Sequence, residues 1–511
     1  MKSLPVFLEY WVDRRGIMGE SDKGVVQKVL GFLKSFFPRE KNPEVYKKGN
    51  EPKGKAIAFT RPAVRRKEPY FIQIGFDFGT SFSKCVWRDI ITDRAFVHSC
   101  SWLKEQDLPF LIPSALVLKD GNLSCVDDSR IHYPEGGVYH LKNALVKIAT
   151  NDQADPVFGP FRRAQERIGP VDIRELVESC AVYLLAYAFG DIKNGLRKRM
   201  PDFGRLAKDY MAINMAVPVA DAEQPAVNSI YQNILTEAWG LSDIINQASE
   251  IPIEELKGLR RKIREEGNSA LADACFIYPE VSANVQGFVR SRVSSGGIYL
   301  FSDIGGGSVD QSVFIFRRPP HGPELLTYLT GRVYPLGSSH IERVAAECAN
   351  QSDCGGLEIW RKRKEGGEDT PELTKARSKI AGELEERTQS TLYSAKTKLI
   401  VKDQLAQTRL IFGGGGHCDY PYKSATIEPF SGVFFSKSIE PEVVGLPLPL
   451  DLELEDHGNY WMRRLNVAYG LSFERNQLTP FIYPREVTTP SLEEIWQPRK
   501  MEGQFITKDD V

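Results

Sequence analysis

The residues with the clearest capacity for chemistry in this chain are the carboxylates of Asp303-Ile-Gly-Gly-Gly-Ser-Val-Asp310. Apolar runs flank the stretch, Ile298-Tyr-Leu-Phe301 before it and Ser312-Val-Phe-Ile-Phe316 after it, so it reads as strand, turn, strand. Successive glycines at 305, 306 and 307 free the backbone to take positive φ and to approach a ligand closely. Amides bared in such a turn make a concavity for an anion. Carboxylates beside it suit Mg²⁺, which prefers carboxylate and phosphate oxygens and keeps much of its water. A hairpin with a tight turn is the plainer alternative, and the stretch alone does not choose between them.

A second stretch repeats the plan. Phe71-Ile-Gln-Ile-Gly-Phe-Asp77 is an alternating strand, Gly79-Thr80-Ser81 a short turn, and Ser83–Trp87 a departing strand. Two such hairpins facing each other would clamp a polyphosphate from both sides and bring Asp77, Asp303 and Asp310 to one metal, mostly through its waters. A third glycine turn, Gly413-Gly414-Gly415-Gly416, follows the β-type run Thr408–Phe412 and leaves room for a flat base or a ribose.

Composition and length set the frame for these motifs. A chain of 511 residues exceeds one core, so at least two lobes are expected. With 42% hydrophobic and 26% charged residues it reads as an ordinary globular protein. No apolar run is long enough to span a bilayer, and the N-terminus lacks a signal-peptide core. Eight scattered cysteines, none in a Cys-x-x-Cys pair, read as reduced thiols in a cytoplasmic protein without a zinc site. Charge is uneven: residues 1–70 carry 16 Lys/Arg against 8 Asp/Glu, and the other 441 carry 50 against 59. The basic arm either meets an acidic partner, nucleic acid or membrane, or packs on its own acidic body. No direct nucleic-acid motif is present.

The elements that must position the turns follow from periodicity. Residues 22–37 predict an amphipathic helix with Val25, Val29, Leu33 and Phe36 on one face, and 38–69 an exposed linker. Strands at 71–76, 83–87, 96–99 and 114–118 are expected in one sheet, with a short helix at 138–148. Helices are expected at 172–199, 223–239 and 251–268, the last facing solvent, with strands at 211–217 and 274–278 and a helical segment at 280–289. In the second half, helices are expected at 341–349, 383–401 and 459–472. Residues 351–376 read as a charged surface insertion, and the chain beyond about 480 as a tail.

These motifs, in this order, resemble the actin-like ATPase superfamily, and most closely the nucleotide-binding domain of DnaK-type heat-shock chaperones. The resemblance runs from about 71 to 474. Asp77-Phe-Gly-Thr-Ser resembles the first phosphate loop and Asp303–Asp310 the second. Ala216-Val-Pro-Val219 resembles the family's strand end before a helix. Leu336-Gly337-Ser-Ser resembles its Leu-Gly-Gly element, Gly413–Gly416 its adenosine loop, and Ala468-Tyr-Gly470 its closing helix. The implied fold is α/β: a two-lobed actin-like ATPase fold, a duplicated ribonuclease-H-like unit with a nucleotide cleft between the lobes. The implied domains are a basic extension (1–70), lobe I (71–295), lobe II (296–458), a closing helix returning to lobe I (459–480) and a tail (481–511).

The resemblance also implies roles. Asp77, Asp303 and Asp310 would surround Mg²⁺ and the attacking water. Gly79, Thr80, Ser81, Gly305, Gly306, Gly307 and Ser308 would cradle the phosphates of ATP or ADP. Val138-Tyr-His-Leu-Lys142 resembles the segment that supplies a lysine near the γ-phosphate, and Lys142 is that candidate, with a surface lysine as the alternative. Lys396 in Ala395-Lys-Thr-Lys-Leu, together with Gly413, Gly414, Gly415 and His417, would meet adenosine; for Lys396 and His417 an ordinary surface position is the alternative. One departure stands out. Where the family has Glu-Pro, this chain has Tyr278-Pro279, so either Glu280 takes over the carboxylate's role or that carboxylate is missing.

The activity so implied is a weak ATPase acting as a switch on an unidentified protein partner, through residues 1–70 or 351–376. Too little chain follows Glu474 for the family's peptide-binding domain. The alternatives are a nucleotide-binding scaffold with little turnover, a filament-forming actin-like protein, and a small-molecule kinase, for which no sugar motif is found.

Overall fold

Phe71–Asp77 and Phe82–Asp89 form an antiparallel hairpin, and so do Gly297–Ile304 and Val309–Arg317, as the alternating runs predict. The structure is a computed structural model that describes residues 68–104, 108–218, 224–245, 250–266, 269–291, 294–319, 322–416, 420–431, 435, 438–454 and 461–487. The chain divides between Val64 and Arg65, and all described residues belong to the second unit. The amphipathic helix and linker expected at 22–37 and 38–69 lie outside the described residues, apart from Glu68 and Pro69.

The fold is mixed α/β with three sheets. One is seven-stranded and runs Cys275–Pro279, Tyr210–Val217, Phe71–Asp77, Phe82–Asp89, Arg94–Val97, Leu452–Glu453, with Ile112–Pro113 paired beside it. Another is six-stranded and runs Val443–Val444, Arg409–Gly413, Gly297–Ile304, Val309–Arg317, Leu325–Tyr334, Phe481–Ile482. The two share a plan. In each, a hairpin is extended by a third antiparallel strand, and its first strand pairs in parallel with a strand from much later in the chain. A parallel pair needs a long crossover, which the intervening helices provide.

Both central strands are buried on both faces, because helices cover both sides. Ile173–Arg199 and Pro225–Ile245 pack on the first sheet with Ile74, Phe76 and Phe189 in one core. Ser339–Cys348 and Pro371–Thr397 pack on the second with Leu300, Val313 and Leu384. The closing helix, Met462–Leu471, lies directly on Phe71–Asp77. A Cβ at Gly75 would come within 2.1 Å of the Ala468 carbonyl, so glycine is what admits the helix. On its other side, Gly470 lies so close to Ala283 that a Cβ would fall 1.9 Å from its carbonyl.

Several expectations need correction. Ala115–Lys119 leaves the first sheet and joins a four-stranded one with Gly137–Tyr139, Asn122–Cys125 and Glu250–Pro252. Alternation fixes a strand's faces but not its partner, and here the bond from the Ser114 amide to the Ser81 carbonyl marks where the chain changes sheet. Residues 138–148 are half strand and half helix. His140, at φ 61, breaks the run, and the helix is Leu141–Ala149. Ile253–Glu266 is not purely solvent-facing, since Arg260 is buried against Glu237, Glu175 and Glu178. Leu325–Tyr334, a ten-residue strand, was not expected. The helix expected at 383–401 begins at Pro371, where Thr370 accepts from the Leu373 amide and proline fills the first turn. Residues 481–487 are not a loose tail, because Phe481–Ile482 pairs with Leu326–Thr327.

Residues 351–376 are exposed for the most part but also pack inward. Cys354–Glu365 is a helix capped by Asp353, whose side chain accepts from the Gly356 amide. Its Leu357, Trp360, Arg361 and Lys364 are buried at helical spacing. Among the described residues, no helix is long and apolar enough to cross a membrane.

Candidate functional site

Asp77 ends its strand opposite Lys84, and the Lys84 ammonium donates to Asp77 Oδ2 at 2.7 Å. Asp303 and Asp310 sit directly across their hairpin from each other. Like charges in such a pair repel. Burial, then Glu280 and Asp77, pushes the Asp303 carboxyl up to about 7, with Lys84 and Lys142 opposing. Burial, then Glu280, holds Asp310 well above the usual carboxylate range. Asp77 Oδ1 and Asp310 Oδ1 are buried without a hydrogen-bond partner.

Lys142 is the second residue of its helix and buried, and its ammonium donates to Glu280 Oε2 at 2.5 Å. Burial would lower its pKa, yet the carboxylates of Glu280, Asp77 and Asp310 carry it above its ordinary value. Tyr278 packs on Phe481, and Glu280, which opens the next helix, lines the cavity with Lys142.

The turns themselves touch. A Cβ on Gly306 would lie 2.1 Å from Ser81 Oγ, and one on Gly307 2.6 Å from Thr80 Cγ2. The Leu-Gly-Ser-Ser segment holds the second turn from the other side: the amides of Gly337, Ser338 and Ser339 donate to the carbonyls of Gly307, Gly305 and Gly306. The third turn closes on the same place. Gly414 has φ +74, and a Cβ there would meet the Ile304 carbonyl at 2.2 Å and Asp303 Oδ1 at 2.4 Å. Gly416 packs on Ile304 and Ser338.

These groups enclose one cavity of about 210 Å³. Of the expected residues, Asp77, Gly79, Thr80, Ser81, Lys142, Glu280, Asp303, Gly305, Gly306, Ser308, Asp310, Gly414 and Gly415 line it, with Gly307 and Gly413 in the adjoining backbone. Lys396 does not line it; it lies in the last turn of Pro371–Thr397. His417 lies outside the described residues.

The cavity also has a wall that sequence reasoning missed: Lys84, His132, Glu342, Lys364, Arg463 and Arg464. Lys364 donates to Glu342 Oε2 at 2.5 Å and to the Ser338 carbonyl at 3.0 Å, and Tyr133 donates its hydroxyl to Glu342 Oε1 at 2.7 Å. The buried face of 354–365 was the available signal, hidden by the surrounding charge. No signal in the sequence singles out His132.

Carboxylates predominate where the three turns converge, and orphaned oxygens remain on two of them, which suits a divalent cation. Among the described residues, no three His, Cys, Asp or Glu side chains approach closely enough to hold a metal between them directly. No protein-family model matches the chain, and no curated protein matches it.

Proposed function

We propose that this cavity binds ATP with Mg²⁺ and hydrolyses it slowly, as a two-lobed switch of the actin-like type acting on a protein partner in the cytoplasm. The observation that carries the reading is the meeting of two Asp-Gly turns, from two sheets of the same strand plan, over one cavity lined by lysines and carboxylates.

In this reading the backbone of the two turns receives the phosphates, and Asp77, Asp303 and Asp310 hold the water shell of the cation. Mg²⁺ held there would supply neutralisation of the phosphate charge. Lys84 now pairs with Asp77 and Lys142 with Glu280. Both lysines line the cavity and would be the cations facing a bound phosphate. Glu280 is then placed to orient a water for in-line attack, with positioning and electrostatics supplying the catalysis. Because Thr80 and Ser81 touch Gly306 and Gly307, the turns must part to admit a polyphosphate. That coupling of ligand to lobe separation is what makes a switch.

A second reading, a nucleotide-binding scaffold with little turnover, is favoured by the Lys142–Glu280 pair, which ties up the candidate water-orienting carboxylate. A single-turnover assay with excess protein decides between them. The switch reading expects steady ATP loss that Asp303→Ala abolishes; undiminished loss in that variant removes the site assignment, and binding without loss selects the scaffold.

A further inference from the structure

We infer that Phe82, His132 and Arg464 form a binding place for a planar heteroaromatic ring, the nucleobase of the ligand proposed above. The inference rests on that proposal and goes beyond it, because it places base recognition on the loop before Gly137–Tyr139 and on the closing helix. All three side chains line the same cavity as the phosphate turns. Phe82 immediately follows Ser81, and although Cys85, Val86 and Trp87 of its strand are buried, Phe82 is only half-buried. The His132 ring meets it edge to face at 4.8 Å.

The backbone around His132 is tied to the helix Cys354–Glu365. The amides of His132 and Tyr133 donate to Glu358 Oε2 at 3.3 and 3.4 Å, and Arg361 donates to the Arg130 carbonyl at 2.5 Å. The Arg464 guanidinium lies against Gly415: a Cβ there would be 2.8, 2.9 and 3.0 Å from its Nε, Cζ and Nη2. The Trp461 ring centroid lies 5.2 Å from Arg464 Cζ. Burial, with Arg361, Lys364, His140 and Arg464 nearby, holds the His132 imidazole well below its usual pKa, so near neutral pH it presents an uncharged π surface.

Partly buried rings and a guanidinium that line one cavity suit a flat ligand. Its faces cover the rings, and its ring nitrogens or oxygens take donors from Arg464.

The test is calorimetric binding of Mg·ATP and of magnesium tripolyphosphate to the full chain and to His132→Ala, Phe82→Leu and Arg464→Met. The expected result is a loss of about 5- to 150-fold in ATP affinity for each folded variant, with tripolyphosphate binding unchanged. Equal losses for both ligands, no loss for either, or a wild-type protein that binds ATP no better than tripolyphosphate would overturn the ring site and leave the phosphate site standing. A wild-type protein that binds neither ligand would overturn the proposed function itself. Phe82→Leu keeps an apolar group at its position, so the test does not depend on His132→Ala folding.

Discussion

Among single residues, Lys142 is the most exposed to test, because it is buried and tied to Glu280 at 2.5 Å. Breaking a buried pair leaves an uncompensated charge and typically costs about 3–5 kcal/mol. Lys142→Met should therefore lower the stability measured by urea unfolding by roughly that amount, and Lys142→Met with Glu280→Gln should recover most of it. A Lys142→Met protein as stable as the parent would mean that the pair is not formed. His140 gives a pH dependence. Burial, with Arg343 nearby, pushes its imidazole down to about 3, against 6.5 ordinarily. The unfolded chain then binds the extra proton between those values, so this contribution is complete above about pH 6.5 and lost as pH falls toward 3. At pH 4.5 it amounts to about 2–3 kcal/mol. His140→Asn, which tolerates the left-handed backbone, should flatten that part of the stability profile, and an unchanged acid limb would contradict the burial argument. At this scale the sequence was informative for the carboxylates and glycines, which the structure brings to one cavity. It was uninformative for His132, Lys364 and Arg464, because a lone histidine and charged helical residues look the same whether they face solvent or a cavity.

At the level of elements, close approach of backbones decides how the parts fit. Gly75 admits the closing helix, and its Cβ would strike the Ala468 carbonyl, a backbone atom that has no rotamer to yield. Gly75→Ala should destabilise the fold by about 3 kcal/mol or more, at the upper end of overpacking effects. A shift of under 1 kcal/mol in chemical unfolding would contradict the packing described here. The hairpins were legible because alternating runs stop at glycine turns. Their sheet partners were not, since Ala115–Lys119 has the same pattern as its neighbours yet joins another sheet. Helix starts at Asp353 and Pro371 carried local cap signals that the density of charge concealed.

Over the whole molecule, the two sheets of like plan meet through their glycine turns, and in the proposed reading a ligand between those turns would part them. Mg·ATP should therefore slow amide hydrogen exchange at residues 79–82 and 305–308 together, and Asp303→Ala should abolish both effects. Protection confined to one turn would argue against a shared site. The repeated Asp-Gly motif made the two turns readable, whereas the wall of Lys84, His132, Glu342, Lys364, Arg463 and Arg464 had to be seen in three dimensions. The most direct test of the central claim is equilibrium binding of ATP with and without Mg²⁺, to the parent and to Asp303→Ala, with folding of both checked by circular dichroism. The account expects saturable one-to-one binding that needs Mg²⁺ and falls by about 100-fold or more in the folded variant, in line with loss of a charge contact of about 3 kcal/mol. Equal affinity in the two proteins, or no binding by the parent, would contradict it.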